Sequence, residues 1–164
     1  MRLDLGGGTK NTKAPGHINI DIAPIEGVDI VWDLNNGLPV HKRGYDSSLR
    51  KEVTLPGGIA PNSVDGIRCH QVVEHLDTII PLMNDCYEVL KPGAILEIST
   101  PLAFTDAWAQ DPTHKKMFVR RTFDYFCDDP TTKDAREEYG ITAKFKVVWE
   151  LIEHGWNLQV HLQK

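Results

Sequence analysis

The twenty residues from Leu3 to Ile22, LDLGGGTKNTKAPGHINIDI, restrict the fold more than any other part of the chain. A short apolar run meets Gly6, Gly7 and Gly8, and a second run, His17 to Ile22, carries Asp21 near its end. Strand, glycine turn, strand and acid are how an open parallel α/β sheet begins, and in such sheets ligands sit beyond the carboxyl ends of the strands. Only nine residues lie between Gly8 and Ile18, and they include Pro15 and Gly16. A strand–helix–strand crossover needs at least about ten to twelve residues. The first helix is therefore expected to be shortened or absent.

The pattern continues downstream. Val28 to Leu34 predicts a third strand ending in Asp33, and Gly66 to Cys69 a fourth, followed by His70 and Gln71. Ile79, Leu82, Met83, Cys86, Tyr87 and Leu90 recur at three- and four-residue steps, which predicts an amphipathic helix. Asp77 or Thr78 is expected to cap it, Pro81 to sit in its first turn, and Pro92-Gly93 to end it. AILEIS gives a fifth strand, and RRTFDYFCDD a short helix with Phe123, Phe126 and Cys127 on one face. Phe145 to Ile152 and Trp156 to Leu162 are strand-like and meet across His154-Gly155, so they must pair antiparallel. In the second, Trp156, Leu158, Val160 and Leu162 form the apolar side. Residues 35–63 are rich in Gly, Pro, Asn and Ser and are expected to be mostly irregular, with room for one short helix or flap. The chain thus reads as one α/β domain over residues 1–164: a Rossmann-like open sheet, mostly parallel, with an antiparallel C-terminal hairpin.

Composition narrows the function classes. No apolar run approaches the roughly 18 residues that span a bilayer, so no membrane partner is expected. The start moves straight into a strand, so no signal peptide is expected either. A net charge of −5 disfavours a broad grip on nucleic acid. Cys69, Cys86 and Cys127 are odd in number and widely spaced, as expected of reduced, buried thiols in a cytoplasmic protein.

The residues at successive strand ends are Gly6, Gly7 and Gly8, then Asp21, then Asp33, then His70 and Gln71. Glycine lets the chain turn sharply and lets a ligand approach the backbone. Asp21 is placed to accept both hydroxyls of a ribose, and Asp33 to accept from an exocyclic amine. LDLGGG, INIDI, VDIVWDL, SVDGIRCHQVVEHL, LKPGAILEISTP and QDPTHKKMFVRRTFDYF together resemble the motifs of class I S-adenosylmethionine-dependent methyltransferases, most closely the small forms of bacteria and phages. The resemblance covers nearly the whole chain. It implies S-adenosyl-L-methionine as cofactor, with Asp4, Gly6, Gly7 and Gly8 at its methionine end. It likewise implies Asp21 and Ile22 at the ribose, Asp33 and Leu34 at the adenine, and His70 bordering cofactor and substrate. The short segment after the glycines, and Lys10 where the family commonly has a further glycine, depart from that pattern. The departure favours this cofactor over a dinucleotide, whose pyrophosphate leans on the N-terminus of the missing helix.

Methyl transfer from a sulfonium needs an aligned acceptor and exclusion of water, and a hydroxyl acceptor also profits from a general base. His70, His75 and His114 are the catalytic candidates, with Glu74 and Asp111 as acidic alternatives. The acceptor pocket is expected from residues 35–62 and 102–117, which suits a small-molecule or glycan acceptor methylated on oxygen. His70-Gln71-Val72-Val73 lacks the Pro-Pro-aromatic motif of DNA amino-methyltransferases, and no Pro-Cys pair serves cytosine methylation. QVVEH resembles the ExxEH with which some small-RNA 2′-O-methyltransferases hold a divalent ion together with a distant histidine. Here Gln71 replaces the first acid and leaves Glu74, His75 and His114, a weaker hold on a hard cation. No metal is therefore expected. Lys115, Lys116, Arg120 and Arg121 read as a solvated basic surface. The alternative function is a catalytically silent domain of the same fold that binds the cofactor or serves in an interaction.

Overall fold

The glycine turn and its two flanking runs fold as anticipated. In the computed structural model, which describes residues 1–9, 12, 14–40 and 58–164, β1 (Arg2–Leu5) and β2 (Ile18–Asp21) pair in parallel without a described helix between them. β3 (Ile30–Val31), β4 (Val64–His70) and β5 (Leu90–Pro101) extend the parallel sheet. β6 (Lys146–Glu153) and β7 (Asn157–Gln163) close it as an antiparallel hairpin, β7 running against β5. The seven strands lie in the order β3-β2-β1-β4-β5-β7-β6, which places the reversal of strand order between β1 and β4. Ligands favour that reversal point in open α/β sheets.

Alternation divides the sheet into two unlike faces. Residues paired across neighbouring strands share a face, and on one face stand Leu3, Leu5, Ile20, Ile67, Cys69, Leu96, Ile98, Leu158, Val160 and Leu162, none more than 2% exposed. They join one core with Leu82, Met83, Cys86 and Val89 of α1 (Ile80–Val89) and with the stacked rings of Phe118 and Phe123. On the other face stand Arg2, Asp4, Asn19, Arg68, His70, Glu97, Gln159 and His161. Parallel sheets are usually covered by helices on both sides. Here the segments after β1 and β2 contain no described helix, and the face they would cover is built from polar side chains.

Several sequence expectations need correction. The third strand is only Ile30–Val31, because Asp33 instead caps a 3-10 turn, Leu34–Asn36, by accepting from the Asn35 amide. Ile79, not Asp77 or Thr78, is the N-cap of α1, although Pro81 does lie in its first turn. The helix stops at Val89, and Pro92 and Gly93 fall inside β5, where its register against β4 shifts. Trp156 sits in the hairpin turn, 42% exposed, and the buried neighbour at the start of β7 is Asn157. α2 (Asp106–Ala109) and α3 (Lys133–Glu138) are the other α-helices among the described residues, and Phe123 and Phe126 are buried in a 3-10 helix over Arg120–Phe126. All three cysteines are free and buried, and burial pushes the Cys127 thiol up to about 11. Lys10 and residues 41–57, part of the segment expected to be irregular, lie outside the described residues.

Two glycines show what the first turn demands. At Gly7 an added Cβ would lie 2.6 Å from Asp4 Oδ2 and 2.7 Å from Asn19 Oδ1. At Gly16 nothing lies within 4 Å, but φ is +73°. Gly7→Ala is thus expected to lose about 1–3 kcal/mol by overpacking. Gly16→Ala should lose only the cost of a left-handed backbone, about 1 kcal/mol. Urea unfolding of the two variants checks the order.

Candidate functional site

Two cavities meet at the carboxyl ends of the strands. The first, a crevice of about 340 Å³, is lined by Gly6, Asp21, Ile22, Asp33 and Leu34 among others, five of the residues expected at the cofactor. The second, a cleft of about 680 Å³, is bordered by Glu74, His75, Asp111 and His114 among others. Gln71 and His75 line both.

The crevice is held open by a polar scaffold beneath the glycines. Asp4 is fully buried; its carboxylate accepts from the Ala14 amide at 2.7 Å and from Arg68 Nη1 at 3.1 and 3.2 Å. Asn19, also buried, takes the Gly7 amide on Oδ1 at 3.0 Å and donates Nδ2 to the carbonyls of Gly8 and Gly27. Asp21 accepts the Gly8 amide at 3.1 Å on one oxygen and the Ala23 amide at 2.9 Å on the other. Each carboxylate oxygen offers two lone-pair directions, so Asp21 retains acceptor capacity towards the crevice. Both Asp33 side-chain bonds, from the Asn35 amide and Nδ2, fall on Oδ1. Gly6, at φ +64°, has room for no Cβ: one would stand 2.3 Å from Val72 Cγ2.

Not every expected residue borders a cavity. Asp4, Gly7 and Gly8 underpin the crevice without lining it. His70 borders neither cavity; it shares the polar sheet face with Arg68 and Glu97, and burial, then Arg68, holds its imidazole below the usual range. Trp32, Val72, Leu76 and Lys115 line the crevice and were not expected there. In the cleft, residues 102–117 contribute as expected, and the hairpin turn His154–Trp156 adds a wall that was missed. β7 runs antiparallel from Asn157, opposite Pro101, so its leading turn lies on the same rim as the end of β5. The basic cluster is largely neutralised at the surface: Lys115 pairs with Asp77, Arg120 with Glu150 and Arg121 with Asp124.

At the floor of the cleft stands Glu74, completely buried. Its Oε2 accepts from Thr100 Oγ1 at 3.1 Å, while Oε1 is buried and has no hydrogen-bond partner among the described residues. Burial pushes this carboxyl above the ordinary carboxylate range. His75 and His114 lie edge to face beside it, ring centroids 4.8 Å apart. His114 Nδ1 is 2.8 Å from the Trp108 carbonyl oxygen, which can only accept, so Nδ1 carries the proton and Nε2 a lone pair. His75 Nδ1 is 2.9 Å from Thr113 Oγ1, whose own proton goes to Asp111 Oδ1 at 2.7 Å. His75 therefore also donates from Nδ1 and leaves Nε2 bare. The Thr113 hydroxyl and amide hold the Asp111 carboxyl below its usual range.

No protein-family model and no curated protein matches the sequence. Solved structures do match in fold. A SAM-dependent methyltransferase from Archaeoglobus fulgidus is 16% identical, with a TM-score of 0.53 over 99% of this chain and 85% of its own. The 1,6-didemethyltoxoflavin-N1-methyltransferase of Burkholderia thailandensis, bound to its substrate and S-adenosylhomocysteine, is 13% identical, with a TM-score of 0.56 over 99% of this chain and 70% of that one. The [4+2]-cyclase SpnF is 16% identical, with a TM-score of 0.54 over 99% and 73%. The chain has the class I methyltransferase fold, here with its first crossover helix missing among the described residues. Among the described residues no helix is long and apolar enough to cross a membrane.

Proposed function

We propose that the protein is an S-adenosylmethionine-dependent methyltransferase acting on a hydroxyl of a small-molecule or sugar-type acceptor. The observation that carries this reading is the pair of cavities sharing Gln71 and His75. One is lined by Asp21, Ile22, Asp33 and Leu34, the other by titratable groups. In the crevice Asp21 would hold the ribose hydroxyls of adenosine, and Ile22, Asp33 and Leu34 its base. Gly6 would leave room for the sulfonium, and Gln71 and His75 border the opening through which its methyl would reach the cleft.

The reacting methyl is already electrophilic, so the protein's part is to orient the acceptor and exclude water. His75 and His114, each with a bare Nε2, are the groups that help the attacking hydroxyl lose its proton. Oxygen–carbon bond formation and carbon–sulfur cleavage then leave S-adenosylhomocysteine as a neutral thioether. His70, which lines neither cavity, has no part in this chemistry. The wide cleft, with Glu74, His75, Asp111 and His114 among its lining, suits a glycan or small polyol rather than a nucleic-acid strand, and the net charge of −5 points the same way.

Methyl transfer from labelled cofactor to a panel of sugars, nucleosides and small hydroxyl compounds tests the reading. With an acceptor in hand, His114→Ala is expected to lower kcat about 10²–10⁴-fold, the usual range for a lost proton-transfer group, with little change in S-adenosylhomocysteine affinity. Unchanged turnover would remove His114 from the mechanism. A second reading, a domain that binds the cofactor without transferring its methyl, draws support from the cyclase among the fold neighbours. Cofactor binding without methyl transfer to any acceptor in the panel would favour it.

A further inference from the structure

We infer that Glu74, His75 and His114 form a binding site for one first-row divalent transition ion, open towards the acceptor cleft. One ligand atom from each lies within 4.8 Å of the others, so small side-chain rotations bring all three onto a common centre. Two independent features point to an ion. The first is Glu74 Oε1, a fully buried carboxylate oxygen without a hydrogen-bond partner among the described residues, on a side chain that lines the cleft. An orphaned buried carboxylate is costly unless a proton or a cation satisfies it.

The second is the fixing of both histidine tautomers. Metal-bound imidazoles generally donate their other nitrogen to a carbonyl or carboxylate, which aims the ligating lone pair. Trp108 O does this for His114, and Thr113 Oγ1, itself tied to Asp111, does it for His75. Neither arrangement is needed merely to pack a ring. Asp111 Oδ2 lies 3.8 Å from His114 Nε2, which places a second carboxylate beside the cluster.

The donor set names the class of ion. Two imidazoles and one carboxylate on one side of a centre suit Mn²⁺, Fe²⁺, Co²⁺ or Zn²⁺ and leave positions open, whereas Mg²⁺ prefers an all-oxygen shell. The inference departs from the expectation drawn from Gln71, because nitrogen donors would compensate for the absent acid. This role deepens the methyltransferase reading and depends on it, although ion binding does not. Held by Glu74, His75 and His114, such an ion would make an acceptor hydroxyl in the cleft more acidic, its proton leaving to solvent. The hydroxyl oxygen then forms the bond to the methyl as the carbon–sulfur bond breaks, and the two Nε2 lone pairs act through the ion.

Chelator-treated protein titrated with Co²⁺ and followed by its visible absorption tests the site. One equivalent is expected to bind, to be displaced by Zn²⁺, and to survive a tenfold excess of Mg²⁺. His75→Ala, His114→Ala and Glu74→Gln should each weaken Co²⁺ at least about tenfold, and Thr113→Val, which touches no ion, about as much as a lost outer partner. Melting curves show that each variant is folded. Asp21→Ala should lose S-adenosylhomocysteine yet keep Co²⁺, so failure of the cofactor reading is separable from failure of the ion site. No Co²⁺ bound at millimolar concentration, binding that persists in both histidine variants, or displacement by Mg²⁺ overturns the inference.

Discussion

Replacing Asp21 with alanine is expected to weaken S-adenosylhomocysteine binding about a hundredfold or more, with little loss of fold. The side chain closes the carboxyl end of β2 and is the acid nearest the place assigned to the ribose. Hydrogen bonds to a charged acceptor contribute roughly 1.5–3 kcal/mol each, and a ribose diol offers two. Each 1.4 kcal/mol is about a factor of ten in affinity, so two lost bonds give the stated range. Asp21 also takes the Gly8 and Ala23 amides, and these lie at a part-buried rim where water can replace the carboxylate. Calorimetric titration measures the loss. Affinity within threefold of the parent would mean that the ribose lies elsewhere.

The second large effect is on stability. Asp4→Ala removes the acceptor for the Ala14 amide and the partner of Arg68 from a site with no solvent access at Asp4. Breaking a buried charge pair costs about 3–5 kcal/mol. Arg68 is 30% exposed and can turn towards water, so the lower end of that range is expected. Arg68→Ala leaves a buried carboxylate with only the Ala14 amide among the described residues, and should cost at least as much. Urea unfolding of both variants reads this directly. A loss below about 1 kcal/mol in both would show that the scaffold under the glycines does not depend on this pair.

These two aspartates illustrate what the sequence could convey. Asp21 was legible because a strand's end is marked by its residues, and Asp33, two residues beyond β3, because the topology sends those ends to one rim. Asp4 was legible as part of the glycine motif, yet its partners were not, since Arg68 pairs with it across 64 positions. The short first crossover could be counted directly, but its consequence lay in the alternation of strands such as Ile67-Arg68-Cys69-His70. Reading these as half-polar rather than as uniformly apolar would have foretold a sheet with one polar face. It would also have turned His70 away from the cavities.

The cleft was harder to foresee. Glu74 and His75 come from the turn after β4, His114 and Asp111 from the loop after α2, and the hairpin turn from the chain's far end. Nothing local in QVVEH says that Thr113 will orient His75, or that Trp108 will offer its carbonyl to His114. Such tautomer control is a product of packing between distant segments. Similarly, the extent of β3 was misjudged because Asp33 serves its own backbone turn rather than extending the strand.

A crystal structure with S-adenosylhomocysteine bound tests the central claim most directly. The account predicts adenosine in the crevice, its ribose on Asp21 and its base against Leu34, and the sulfur near Gly6 facing the opening shared by Gln71 and His75. Cofactor product bound outside that crevice, or a crevice that stays closed to it at saturating concentration, would contradict the account.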